Sequence, residues 1–260
     1  MAKRITVAVG VAVAAALALT SCVRLVQNGF DDQHSVSERV TEVRLQNGSG
    51  GVTVRGREGA TGTEVRRRVR FPKSDDKPGA SHRVEGSTLV LADCGNNCTV
   101  DYEVTVPTKD VRIVGENGSG DVRLEGVASV EVEVGSGDTT VLDVSGVVRV
   151  INSSGDVEVA GVAGDFTGRI GSGAARLSGM RGDVVIDSSS GDVTVRLDAV
   201  NSVRADVGSG ALTVDVPQGA YRVQVETGSG DRNVDVEDDP NADAELLLHT
   251  SSGDVTVRNA

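Results

Sequence analysis

The sequence predicts an all-β chain wound as a parallel β-solenoid with about 18 residues per rung. Three observations lead there. A small-Ser-Gly step recurs along the chain; apolar residues stand at fixed distances on both sides of it; and the period is too short for a helix pair. The terminal glycines of the step are Gly50, Gly120, Gly137, Gly155, Gly173, Gly191, Gly210, Gly230 and Gly253. After Gly120 the gaps are 17, 18, 18, 18, 19, 20 and 23, and near-constant spacing of this kind marks stacked supersecondary units.

Each unit reads as a strand entering the step and a strand leaving it. Four residues after the glycine stand Val54, Leu124, Val141, Val159, Leu177, Val195, Val214, Val234 and Val257, and seven before it an apolar column runs from Val43 and Ile113 to Leu246. Between apolar positions lie Thr140, Glu158, Arg176, Thr194, Thr213 and Thr256, the period-2 alternation of a half-buried strand. Single units cannot bury such columns, but stacked units turn them into continuous ladders. Right-handed winding follows from the general crossover preference. Glycine suits a bend that needs φ > 0 at the same place in every rung. A further corner is expected near Gly126, Gly146, Gly164 and Gly182. Three residues before the step Val134, Asn152, Ile170, Ser188 and Val207 alternate in polarity, through either a two-rung duplication or alternate turns on different edges. A β-sandwich of short strands satisfies the same alternation and stays open as the alternative.

The N-terminus predicts the compartment. Lys3 and Arg4 precede an uncharged run from Ile5 to Thr20, shorter than the roughly 20 residues of a spanning helix and shaped like a secretory signal. It ends on Leu19-Thr20-Ser21-Cys22, which resembles the bacterial lipobox and implies lipidation at Cys22; an ordinary signal with an incidental cysteine is the alternative. The expected organisation is a signal peptide at 1–21, a lipid anchor and tether at 22–40, and a solenoid at 41–260, irregular over 41–110 and regular over 111–260. The expected location is the extracytoplasmic side of the cell membrane. Loss of Lys3 and Arg4 with the signal takes the formal charge from −12 to −12 − 2 = −14. So acidic a chain is a poor ligand for nucleic acid, whose phosphates call for Lys and Arg.

In "DCGNNC", Cys94 and Cys98 are expected to form a disulfide in an exported protein. A half zinc site lacks two further ligands nearby, and a redox pair usually has two intervening residues.

"VDYEVTVPTKDVRIVGENGSGDVRLEGV", followed by serial "SGDVxV" units, resembles the bacterial putative-adhesin family, a β-strand-repeat domain of unknown function. The likeness runs from about Thr41 to Arg258. It implies an exported, envelope-anchored solenoid and carries over no catalytic position. At Gly51, Ala174 and Ala211 the chain lacks the Asp of the turn.

That Asp is the one repeated chemical group, at Asp121, Asp138, Asp156, Asp192, Asp231 and Asp254. The expected role is capping of its own turn. The sharper reading is Ca²⁺ bridging successive rungs, although the denser nonapeptide pattern of calcium β-rolls is absent. The Thr column is expected to be a solvated surface. Arg66, Arg67, Arg68 and Arg70 form a basic run, read as a strand edge or as a dock for an anionic partner. His34, His82 and His249 lie in unrelated segments without metal-ligand spacing, and neither a nucleophile elbow nor a phosphate loop occurs. The chain has no Trp and two Tyr, few platforms for sugar stacking. The expected function is a non-enzymatic, lipid-anchored scaffold without cofactor, meeting an unknown envelope or protein partner. The alternatives are a calcium-dependent surface module and a polysaccharide-acting enzyme.

Overall fold

A computed structural model describes residues 27–260; the segment 1–21 expected as a signal peptide, and Cys22, lie outside the described residues. The described chain is all β, with twelve strands in one sheet and eleven in a second. The N-terminal part contains β1 (Gln27–Val36), β2 (Glu42–Asn47), β3 (Val52–Gly56), β4 (Thr63–Pro72), β5 (His82–Glu85), β6 (Thr88–Ala92) and β7 (Thr99–Val106). The regular rungs are β8/β9 (Arg112–Ser119, Val122–Val127), β10/β11 (Ser129–Ser136, Thr139–Val144) and β12/β13 (Val148–Ser154, Val157–Val162). They continue as β14/β15 (Phe166–Ser172, Ala175–Met180), β16/β17 (Val184–Ser190, Val193–Leu197) and β18/β19 (Val203–Ser209, Leu212–Val216). The last pairs are β20/β21 (Arg222–Thr227, Arg232–Val234) and β22/β23 (Glu245–Ser252, Val255–Asn259).

Each rung places its first strand in one sheet and its second in the other, parallel to the equivalents above and below. This is the solenoid expected from the period. The two inner faces enclose one continuous core, dominated by the Val columns and closed by large residues such as Phe166, Ile170, Leu177 and Met180.

All nine step glycines have φ between +110° and +142°, a region that side-chain-bearing residues rarely adopt. A second constraint adds to the first: a Cβ on Gly155 would run into the carbonyl of Gly137 one rung away, and the same holds along the column. The serines of the step stack in register (Ser154 on Ser172, Ser172 on Ser190, Ser190 on Ser209), so every turn lies on one edge. That rules out turns on alternate edges. Gly126 belongs with Asp143, Gly161 and Gly179, a left-handed column with φ of +55° to +69°, rather than with the stacked corner glycines Gly146, Gly164 and Gly182.

The stack departs from chain order at both ends. β2/β3 sits between β6/β7 and β8/β9, and β22/β23 sits between β18/β19 and β20/β21. The irregularity expected over 41–110 is therefore two rungs, β2/β3 and β6/β7, stacked in reverse of chain order with β4 and β5 as excursions between them. Antiparallel β4 and β1 extend one sheet at the N-terminal end, and antiparallel β5 extends the other. Over Gln27–Val36 the segment expected as a tether is instead the edge strand β1. Its alternation escaped an apolar reading because the inward positions Asp32 and His34 are polar and face polar partners.

Candidate functional site

The turn carboxylates form a ladder between rungs. Asp138 N–H donates to Asp121 Oδ1 at 3.0 Å, and Asp156 N–H donates to Asp138 Oδ1 at 2.9 Å. Ala174 N–H reaches Asp156, Ala211 N–H reaches Asp192, and Asp231 N–H reaches Asp254 in the same way. Asp121, Asp138, Asp156, Asp192 and Asp254 therefore each cap the turn of the next rung in the stack, not their own as expected from sequence, while Asp231 on the end rung only donates. The direction is constant, toward the C-terminal end, and the ladder breaks after Gly51, Ala174 and Ala211, where no carboxylate exists to accept. Asp101, in register with Gly51, starts it by accepting the Gly51 N–H at 2.9 Å. A shorter ladder, Asp165 to Asp183 to Ser202, runs along the corner. One oxygen of each accepting Asp is thus committed to backbone, which offsets the cost of stacking like charges. Among the described residues no group of three or more His, Cys, Asp or Glu is arranged to hold a metal ion.

Inside the same edge, Asn47, Asn117, Asn152 and Thr250 are buried. Their side chains donate to step-glycine carbonyls: Asn47 to Gly50, Asn117 to Gly120, Asn152 to Gly137 and Gly155, and Thr250 to Gly210. Asn and Thr in the column three residues before the step therefore satisfy turn carbonyls, whereas the buried Ser188 hydroxyl has no partner among the described residues.

Chemistry is densest at the N-terminal end. In β4 the inward positions are Thr63, Val65, Arg67, Val69 and Phe71, so the middle arginine of the run enters the core with 3% of its side chain exposed. Its guanidinium donates to Asp32 Oδ1 at 2.9 Å, to the Gly79 carbonyl at 3.1 Å and to Ser81 Oγ at 2.8 Å. Tyr102 Oη donates within a cage formed by Ser81 and the Ala92 carbonyl, and burial pushes its pKa up to about 12. The hydrogen bond from Arg67 holds the Asp32 carboxyl below the usual carboxylate range, against the opposing effect of burial. His34 and His82, far apart in sequence, meet here with ring centroids 4.7 Å apart. His249 lies apart on β22, in register with Asp206 and Glu226.

The other arginines of the run are also paired. Arg66 meets Glu64, Arg68 meets Asp31, and Arg70 meets Asp101. The run is thus an internally neutralised face rather than an open dock for an anionic partner. Cys94 and Cys98 are bonded, with Cα atoms 5.6 Å apart, in the loop that takes the place of the glycine step in the β6/β7 rung. Thr194, Thr213 and Thr256 stand side by side on the outer face, with Thr140 separated from them by Glu158 and Arg176. Sequence reasoning did not single out Asp215, which bridges Arg196 and Arg258 across three strands with 3% of its side chain exposed. Burial would raise its pKa, but hydrogen bonds from Arg258 and Arg196 outweigh that and hold it below the ordinary 3.8.

No curated protein matches the sequence. Among solved structures, the chain is similar to a putative adhesin from Bacteroides fragilis NCTC 9343, at 15% identity and a TM-score of 0.44, covering 90% of this chain and 97% of that one. It is also similar to a putative adhesin from Parabacteroides merdae ATCC 43184, at 9% identity and a TM-score of 0.44, covering 89% and 96%. A putative cell adhesion protein from Clostridium sporogenes ATCC 15579 matches at 12% identity and a TM-score of 0.25, covering 90% and 100%. A family model described as Toastrack DUF4097 matches residues 81–258, more than half of the sequence. The chain belongs to the Toastrack DUF4097 family.

Proposed function

We propose that the protein is a lipid-anchored, extracytoplasmic, non-enzymatic scaffold of adhesin-like type, presenting the long outer faces of its solenoid to an envelope component or another protein. The observation that carries this reading is the internal completeness of the stack. Carboxylates, asparagines and step glycines along the turn edge are spent on joining one rung to the next, and the arginines of β4 on pairing within the end. What they build is a stiff body of ten two-stranded rungs, about 50 Å long with its extra end strands at the usual strand spacing. Its outward rows, such as Thr194–Thr213–Thr256, repeat at that spacing and suit an extended contact better than a pocketed reaction centre. Lys3, Arg4 and the Leu19–Cys22 sequence support attachment through Cys22.

The test separates the anchor from the scaffold. Wild-type chain and Cys22→Ala are expressed in a bacterial host, and the membrane and soluble fractions are compared. Sedimentation of the wild type with membranes, and release of the variant as folded soluble protein, is the expected result. Equal partitioning of the two refutes the anchor.

A further inference from the structure

β1 is attached to the body unlike any regular rung. None of its side chains is fully buried, whereas its neighbour β4 buries every second residue. It is held by the antiparallel ladder to β4, by the pairs Asp31–Arg68 and Asp32–Arg67, and by edge contact between Phe30 and Phe71. One more contact ties it across the end to the opposite sheet: His34 of β1 lies on His82 of β5, with the rings tilted by 53°. Among the described residues His34 Nε2 and His82 Nδ1 are both shielded from solvent and without a hydrogen-bond partner. The polar neighbour of His34 Nε2 is the Asp32 carboxylate of its own strand, which does not tie β1 to β5.

The charged groups around the pair come from each packed element. Asp32, on β1 itself, lies 3.3 Å from His34 Nε2. Arg67 reaches in from β4 and is already paired with that carboxylate. Tyr102 of β7 is neutral and bonded to Ser81, and Arg83 on β5 pairs with Glu85. A proton on His82 would set a second cation beside Arg67, against the one carboxylate that Arg67 already pairs.

We propose that the His34–His82 stack is a proton-operated clasp: the neutral rings hold β1 against the N-terminal end of the solenoid, and protonation releases the strand. Release uncovers the edge of β4 and frees Arg66 of Gln33 and Arg68 of Asp31. The sign follows from linkage. Burial first, then His34 and Arg67, hold the His82 pKa below its ordinary 6.5 while the strand is docked. In the released strand it returns to about 6.5, so release takes up a proton. Docking is firm above about pH 6.5 and weakens below it. One such histidine multiplies the opening constant at pH 5.5 by at most about elevenfold, from 1 + 10^(6.5 − 5.5).

Hydrogen exchange of the full chain, read by mass spectrometry at pH 7.5 and 5.5 and corrected for intrinsic rates, tests this. Protection of Gln27–Val36 is expected to fall at pH 5.5, by at most about tenfold, with β14 and β16 unchanged. His82→Gln should remove the difference between the two pH values. His82→Phe, which keeps a ring in contact but cannot titrate, should do the same and decides the matter if His82→Gln opens the end outright. Unchanged protection of β1 in the wild type overturns the proposal. So does a pH response that survives both variants, or a loss shared equally by β1 and the regular rungs.

Discussion

Asp138 is the cleanest place to weigh one step of the carboxylate ladder. Its own N–H donates to Asp121 and its Oδ1 accepts from Asp156, and it makes no ion pair among the described residues. Asp138→Ala leaves the first bond intact and strands the Asp156 N–H at an exposed turn, where water replaces part of what is lost. The nearest analogue is loss of a helix N-cap, which costs about 1 kcal/mol and ranges from roughly 0.5 to 2. In a body of this size that corresponds to a fall in Tm of about 2–4 °C. Asp138→Asn keeps an accepting oxygen, so it should recover more than half of the loss. Ala174→Asp works in the opposite sense, because it gives the Asp192 N–H the acceptor that the break in the ladder denies it. A gain of about 0.5 kcal/mol is expected, reduced by repulsion from the neighbouring carboxylates and larger in high salt. The assay is thermal unfolding by circular dichroism at two salt concentrations. Equal destabilisation by Ala and Asn at 138, or a loss with Ala174→Asp at both salts, would refute the inter-rung role and return the carboxylates to capping their own turns.

Gly155→Ala meets both a φ of +119° and the Gly137 carbonyl, and should cost about 3 kcal/mol or more in urea unfolding, or prevent folding. Asp143→Gly should stabilise by about 1 kcal/mol in the same assay, because Asp143 holds φ +55° in a column otherwise made of glycine. Arg67→Ala should destabilise by about 3 kcal/mol, since it leaves Asp32 facing the core end without its counter-charge, and the loss should concentrate in the exchange of β1 and β4. Asp215, with its pKa held low, contributes stability that is fully present above the ordinary 3.8 and fades as the pH falls through its lower folded value; Asp215→Asn should flatten that part of an acid-unfolding curve.

The regular half of the fold was legible because its signal is repeated. One glycine every 18 residues would say little alone, but the column from Gly120 to Gly210 fixes period, strand pair and turn together. What periodicity cannot carry is order. Nothing in the spacing of Gly50, or in the 23-residue gap before Gly253, distinguishes a rung added next from one inserted a place back. The ladder was half legible for the same reason: the Asp residues stand out, but the acceptor's partner lies a rung away, and Asp101 carries no preceding glycine step to mark it. Arg67 was within reach, because Val65, Arg67, Val69 and Phe71 alternate on one face. Reading four arginines as one patch hid it. His34 and His82 were not legible as a pair, since their meeting depends on two antiparallel excursions that close the end from opposite sheets.

The exchanged order of rungs at the two ends bears on how the body is assembled. A solenoid stacked in chain order can grow like a zipper, each new turn laid on a finished surface. Here β20/β21 has no adjoining rung until Glu245–Asn259 has entered between it and β18/β19, and at the other end β8/β9 must reach back past β6/β7 to pair with β2/β3. The middle is free to form from neighbours, while each end forms only by bringing together distant stretches, the slower kind of contact. A chain that lacks Glu245–Asn259 leaves β20/β21 without a strand neighbour and the edges of β18 and β19 unpaired. Until the last strands arrive, those two edges are templates on which a second chain could pair, so the final insertion also removes an opening for aggregation.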